Sequence, residues 1–172
     1  MARTGPLKKL GIEGFNRLSE RQRMHLLFEV CSSPIWARRM LRGGPFRDED
    51  ALLDRADRVL AELPDAEVDS ALDGHPRIGA KPDNPSSARE QERVADADAA
   101  VKAELAEKNR CYEDKFGYVY LVCASGRTAE ELLDILTDRL DNDPESERRV
   151  MRSELAKINR LRLQRLLSKE TA

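Results

Sequence analysis

One segment limits which folds are open to this chain. "FGYVYLVCASG" (116–126) is the only stretch with β character, aromatic and β-branched between two glycines. A sheet needs a partner strand, and no other stretch offers an obvious one, so the remainder must pack as helices. Helix signals are abundant. Ser19 and Gln22 form an S-x-x-Q capping box ahead of "RQRMHLLFEVC", and Pro34 stands where "PIWARRMLR" can begin. "GGPF" (43–46) is a break. Leu52, Leu53, Ala56, Val59, Leu60 and Leu63 then recur at helical spacing through "RDEDALLDRADRVLAEL". Pro64 opens "PDAEVDSAL", which Gly74 ends. The longest candidate helix runs from about Ser87 to Tyr112. Thr128 and Glu131 make a second capping box, and Asp143-Pro144 gives an N-cap and a proline at the first helical position for a last helix to about Leu167. The pattern predicts an all-α fold, a single compact multi-helix domain over 1–172, with one short extended segment near 117–124.

Composition narrows the function classes. The 172 residues carry 30 Lys+Arg against 32 Asp+Glu, intermixed along the chain with no basic block, so nucleic acid is not expected as a partner. No apolar run follows Met1, and "YVYLVCA" is far below the ~18 residues of a membrane helix, so neither a signal peptide nor a membrane span is expected. Cys31, Cys111 and Cys123 are odd in number and widely spaced. They read as buried thiols in a reducing, cytoplasmic setting. With two histidines and no C-x-x-C, no metal site is expected.

Few residues remain that could carry chemistry. His75 lies in "DGHPRIGAKPDNPSSAREQERV", and Pro76 pushes it towards an extended backbone. Its imidazole is either a solvent-facing loop side chain or a proton carrier presented from a stiffened loop. His25, mid-helix, reads as a helix-surface or core-edge histidine. Ser87 and Glu90 form S-x-x-E: a third capping box that puts Glu90 and Gln91 in a first helical turn, or a helix start whose free N–H groups meet a ligand. "GYVYLVCA" is either a core strand or a row of backbone groups for a heterocycle with amide-like edges. Arg162 extends the Met151, Leu155, Ile158 stripe. It either snorkels to water or, facing inward, needs an anion.

Taken in order, "GHPRIG", "SSAREQ", "KFGYVYLVCASGR" and "ELAKINRLRLQRLL" resemble the decarboxylase family that acts on 2-oxo-4-hydroxy-4-carboxy-5-ureidoimidazoline (OHCU) in uric acid degradation. "CSSPIWARRM" fits its cysteine-containing turn followed by a tryptophan, and the likeness runs from about Gly14 to Leu167. The family's H-P motif usually continues as "HPDLA", whereas this chain reads "HPRIGAK". The resemblance implies an all-α homodimer with no cofactor, a carboxy-lyase releasing CO2 and (S)-allantoin. The catalytic positions fall on His75 and Glu90. The substrate-binding positions fall on Pro76, Ser87, Gln91, the segment Val119, Tyr120, Leu121, Val122 and Cys123, and Arg162, with Arg160 as the neighbouring alternative. Two rival readings stand beside it. One is a non-catalytic helical interaction module whose H-P loop and caps are structural. The other is a cysteine hydrolase using Cys123 and His75.

Overall fold

The computed structural model describes residues 8–73, 75–80 and 85–171. Among these are nine helices: α1 Gly11–Arg17, α2 Glu20–Val30, α3 Pro34–Arg42, α4 Glu49–Ala61, α5 Asp65–Leu72, α6 Pro85–Glu90, α7 Ala99–Phe116, α8 Ala129–Arg139 and α9 Pro144–Ser168. The fold is all-α. The one sheet among the described residues is an antiparallel ribbon with two residues in each strand, β1 Lys8–Lys9 with β2 Glu170–Thr171, too short to leave a periodic trace in sequence. Gly74, expected to end α5, lies outside the described residues. No helix among the described residues is long and apolar enough to cross a membrane.

Side-chain caps explain most helix starts. The Ser19–Gln22 and Thr128–Glu131 boxes are complete in both directions. Ser33 Oγ accepts from Trp36 N at 3.1 Å, Asp48 from Ala51 N at 2.8 Å, and Asp143 from Ser146 N at 2.9 Å. Helix α1 has no such cap, which is why no start signal marks it.

The expected long helix from Ser87 is two helices. Helix α6 ends at Glu90, turns follow, and Asp98 starts α7 by accepting from Val101 N at 2.9 Å. "ADAD" carries the reason. Aspartate competes for nearby backbone N–H groups and favours a cap over a helix interior. Ser87 is therefore inside α6 rather than ahead of it, and Glu90 is the last residue of that helix rather than a first-turn one.

The chain forms two compact units: one from the segment up to Val68 together with the segment from Ile158, the other Asp69–Lys157. In the first, Phe15, Leu27, Trp36, Met40, Leu52 and Leu60 are buried. In the second, Leu105 and Tyr112 of α7 and Leu132 and Leu136 of α8 close over Tyr120 and Val122.

Candidate active site

The H-P loop of the second unit is held at several points. The amide of His75 donates to Leu72 O at 2.9 Å, and Asn109 Nδ2 donates to Ile78 O at 3.0 Å. The Arg77 guanidinium grips both carboxylate oxygens of Glu113, at 2.6 and 3.1 Å. Asn109 and Glu113 are one helical turn apart on α7, so one face of that helix anchors the loop. Gly79 adopts φ +88°, a left-handed conformation that suits glycine. Its amide donates to Gln91 Oε1 at 3.0 Å. His75 is half-buried, and residues 75–79 beside it are held by these bonds. His75, Pro76 and Val119 line one cavity of about 450 Å³, along with Asp69, Asp73, Arg77 and Tyr118.

The segment after α7 begins where Gly117, at φ +82°, ends the helix. It takes no regular secondary structure and, among the described residues, pairs with no strand. Tyr120, Leu121 and Val122 are buried, each at 4% exposure or less. Tyr120 spends its hydroxyl on Leu132 O at 2.9 Å, and Leu121 O accepts from Arg139 at 2.7 Å. Among the described residues, the amides of Val119–Cys123 donate no backbone hydrogen bond.

Ser87 and Glu90 are buried in α6, and Gln91 follows in the turn. Glu90 lies within electrostatic reach of Cys123. Burial pushes the Cys123 thiol up, the charges of Glu154 and Glu90 raise it further, and the Ser125 amide and Lys157 oppose them. A thiol with a raised pKa is a poor nucleophile at neutral pH, which counts against the hydrolase reading. Cys111, expected to be buried, is exposed on α7. A polar helix face surrounds it, and a lone cysteine carries no periodic signal of which face it takes.

In the first unit, Arg162 is buried and donates to Val30 O at 3.2 Å. The stripe it extends is buried too, with Met151, Leu155 and Ile158 at 4% exposure or less. Arg160, its rival, reaches Asp57 at 2.6 Å. His25 is on the surface of α2, 3.1 Å from Glu29.

Sequence reasoning missed Asn109, Glu113, Arg139 and Glu147. Asn109 and Glu113 share a helix face, a visible spacing with no visible target. Arg139 and Glu147 sit on either side of a helix break, so no helical period links them. Among the described residues no group of three or more His, Cys, Asp or Glu could hold a metal ion.

These features define an all-α protein whose candidate site residues stand on a braced loop, a short helix, the irregular segment after α7 and the last helix. The family model for OHCU decarboxylase matches residues 16–164, and the chain belongs to that family. It is 34% identical over 147 residues to the uric acid degradation bifunctional protein TTL of Arabidopsis thaliana, covering 80% of this chain and 45% of the relative. It is 28% identical over 145 residues to the OHCU decarboxylase of Amia calva, covering 80% of each. A crystal structure of an OHCU decarboxylase in the presence of (S)-allantoin superposes with a TM-score of 0.76 at 29% identity, over 88% of this chain and 100% of that one. The chain spans less than half the length of the Arabidopsis protein and 32% of a bifunctional relative from Bacillus sp. (strain TB-90).

Proposed function

We propose that the protein decarboxylates OHCU to (S)-allantoin and CO2, acting as one domain without a cofactor. The observation that carries this reading is the segment Val119–Cys123: its middle residues Tyr120, Leu121 and Val122 are buried, its amides pair with no backbone among the described residues, and it shares a unit with the braced His75 loop. That arrangement suits a flat heterocycle edged with carbonyl and N–H groups. The Amia calva relative bears the name of this decarboxylase, which supports the same substrate class.

The chemistry asks little of a cofactor. The bond between ring carbon and carboxylate breaks, CO2 departs, and the electron pair spreads into the adjacent unsaturated ring. The substrate is its own electron sink. One face of the resulting enol-like ring must then be protonated, which sets the chirality. We assign that proton to His75, an acid/base contribution of ~10²–10⁴-fold. Glu90 holds the substrate hydroxyl or ureido group and orients His75. Ser87, Gln91 and Pro76 shape the binding surface, and backbone groups of Val119–Cys123 read the ring edges. Of the two arginines of α9, Arg162 is the buried one and the position on which the family's arginine falls, so the substrate's anionic oxygen is assigned to it. A homodimer acting in the cytoplasm belongs to the same proposal, and its mass in solution tests the dimer.

The deciding experiment generates the unstable intermediate from urate in situ and follows allantoin chirality by circular dichroism. With the protein present, (S)-allantoin should accumulate faster than the spontaneous racemate. An unchanged rate and a racemic product would overturn the reading and leave the interaction module standing.

A further inference from the structure

The second unit contains a buried ion pair that the proposed mechanism does not use. Arg139, at the end of α8, points its guanidinium inward with its side chain 6% exposed, and Glu147 of α9 is fully buried. Arg139 Nε and Nη2 donate to Glu147 Oε1 at 2.7 and 2.5 Å. Tyr112 OH donates to the same oxygen at 2.5 Å, and Asn142 Nδ2 donates to Glu147 Oε2 at 3.0 Å. The guanidinium also lies over the rings of Tyr112 and Tyr120, 5.8 and 5.0 Å from their centroids. Nη2 also donates to Tyr112 OH at 3.4 Å, so ion pair, hydroxyl and rings together hold the guanidinium. One donor remains, Nη1, and it goes to Leu121 O at 2.7 Å.

That last bond matters because of peptide geometry. Leu121 C=O and Val122 N–H belong to one planar trans unit, in which the carbonyl and the amide point in opposite directions. Holding the oxygen against Arg139 therefore aims the Val122 N–H away from Arg139. That amide donates no backbone hydrogen bond among the described residues. We propose that Arg139, locked by Glu147, is a positioning residue that fixes the Leu121–Val122 peptide so that the Val122 amide donates to a carbonyl oxygen of the substrate ring. The proposal rests on the decarboxylase reading and names the backbone donor within it. Arg139 itself touches no substrate. A rigid fork holds a carbonyl in one plane, and lysine, a point charge on a flexible stem, cannot reproduce that.

The test combines binding and kinetics on the whole chain. (S)-Allantoin is titrated into 15N-labelled protein while the Val122 amide is followed by NMR, and KM and kcat are measured for wild type and Arg139→Lys. The Val122 resonance should move on saturation of the wild type and not of the variant. KM should rise about tenfold, the equivalent of one lost hydrogen bond, while kcat and the pH profile hold. Loss of a purely structural residue would lower the folded fraction and leave KM unchanged. If Arg139→Lys does not fold, Arg139→Met/Glu147→Leu, which strands no buried charge, takes its place. A folded variant with wild-type KM overturns the positioning role, as does a saturated wild type whose Val122 amide stays still. A wild type that turns over no OHCU at all overturns instead the reading beneath it.

Discussion

The amide of Gly79 donates to Gln91 Oε1 at 3.0 Å, tying the turn after α6 to the loop that carries His75. The bond fixes which end of Gln91 is available to a ligand. The oxygen is committed, so Nε2 is the end a substrate oxygen can meet. Gln91→Glu keeps the acceptor for Gly79 and removes the donor. It should leave the melting temperature nearly unchanged and raise KM about tenfold. Gln91→Leu removes both and should also cost about 1 kcal/mol of stability, because it strands the Gly79 amide. Thermal melts and KM on the same preparations check this.

His75→Ala should fold like the wild type. The loop is held by the Leu72 carbonyl, by Asn109 and by the Arg77–Glu113 fork, none of which involves the imidazole. Decarboxylation above the spontaneous rate should fall by ~10²–10⁴-fold. A folded variant with near-native turnover removes the proton-transfer role.

Much of this architecture was legible because its signals are local. The boxes at Ser19 and Thr128, the Asp143-Pro144 start and the lone β-like segment each show within a few residues of sequence. Ser87–Glu90 shows the limit of that reading. The same S-x-x-E pattern stands inside α6, where burial of Ser87 and Glu90 and the cap at Asp98 override it. The bracing was illegible for a different reason. Arg139 meets Leu121 across 18 residues and Asn109 meets Ile78 across 31, and a single sequence contains no period linking such positions. Candidate site residues stood out by residue type, while the residues that hold them did not.

Glu90 closes a helix rather than opening one, which sharpens the test of its charge. A carboxylate at a helix C-terminus faces an unfavourable dipole, so its charge is not there to stabilise α6. Glu90→Gln keeps the shape and should leave the melting temperature within a degree or two, or raise it slightly. Activity should still fall by orders of magnitude if the charge holds substrate and orients His75. An unchanged rate removes the carboxylate from the mechanism.

The two arginines of α9 should separate cleanly. Arg160 pairs with Asp57 where both side chains are more than a third exposed, so Arg160→Ala should cost no more than about 1 kcal/mol and leave turnover intact. Arg162→Lys keeps the charge and loses the fork, and should lower kcat/KM by at least about tenfold. Steady-state kinetics on both variants decides between them. Reversed results would move the substrate contact to Arg160.

The cysteines give a prediction in pH. Cys31 is fully buried, and burial pushes its thiol up from 9.0 to about 11, with Asn159, Arg162 and the Ser33 amide only partly opposing that. Below pH 9 the thiol is protonated in both folded and unfolded chains and contributes no pH dependence. Between pH 9 and 11 the unfolded chain releases the proton and the folded one keeps it, so stability falls as pH rises. At pH 10.5 the wild type should have lost about 2 kcal/mol through this group alone. Cys31→Ala lacks that slope, so the difference between the two unfolding curves, measured at pH 8 and 10.5, isolates it from the lysines and tyrosines that titrate nearby. Alkylation should follow the same order of access. Cys111, exposed, reacts first and without loss of turnover, Cys123 more slowly, and Cys31 only when the chain unfolds. Cys123→Ser should likewise keep most activity, since burial and the nearby carboxylates hold its thiol pKa up and make it a poor nucleophile. A covalent intermediate trapped on Cys123, or a pH-independent difference between wild type and Cys31→Ala, would contradict this account.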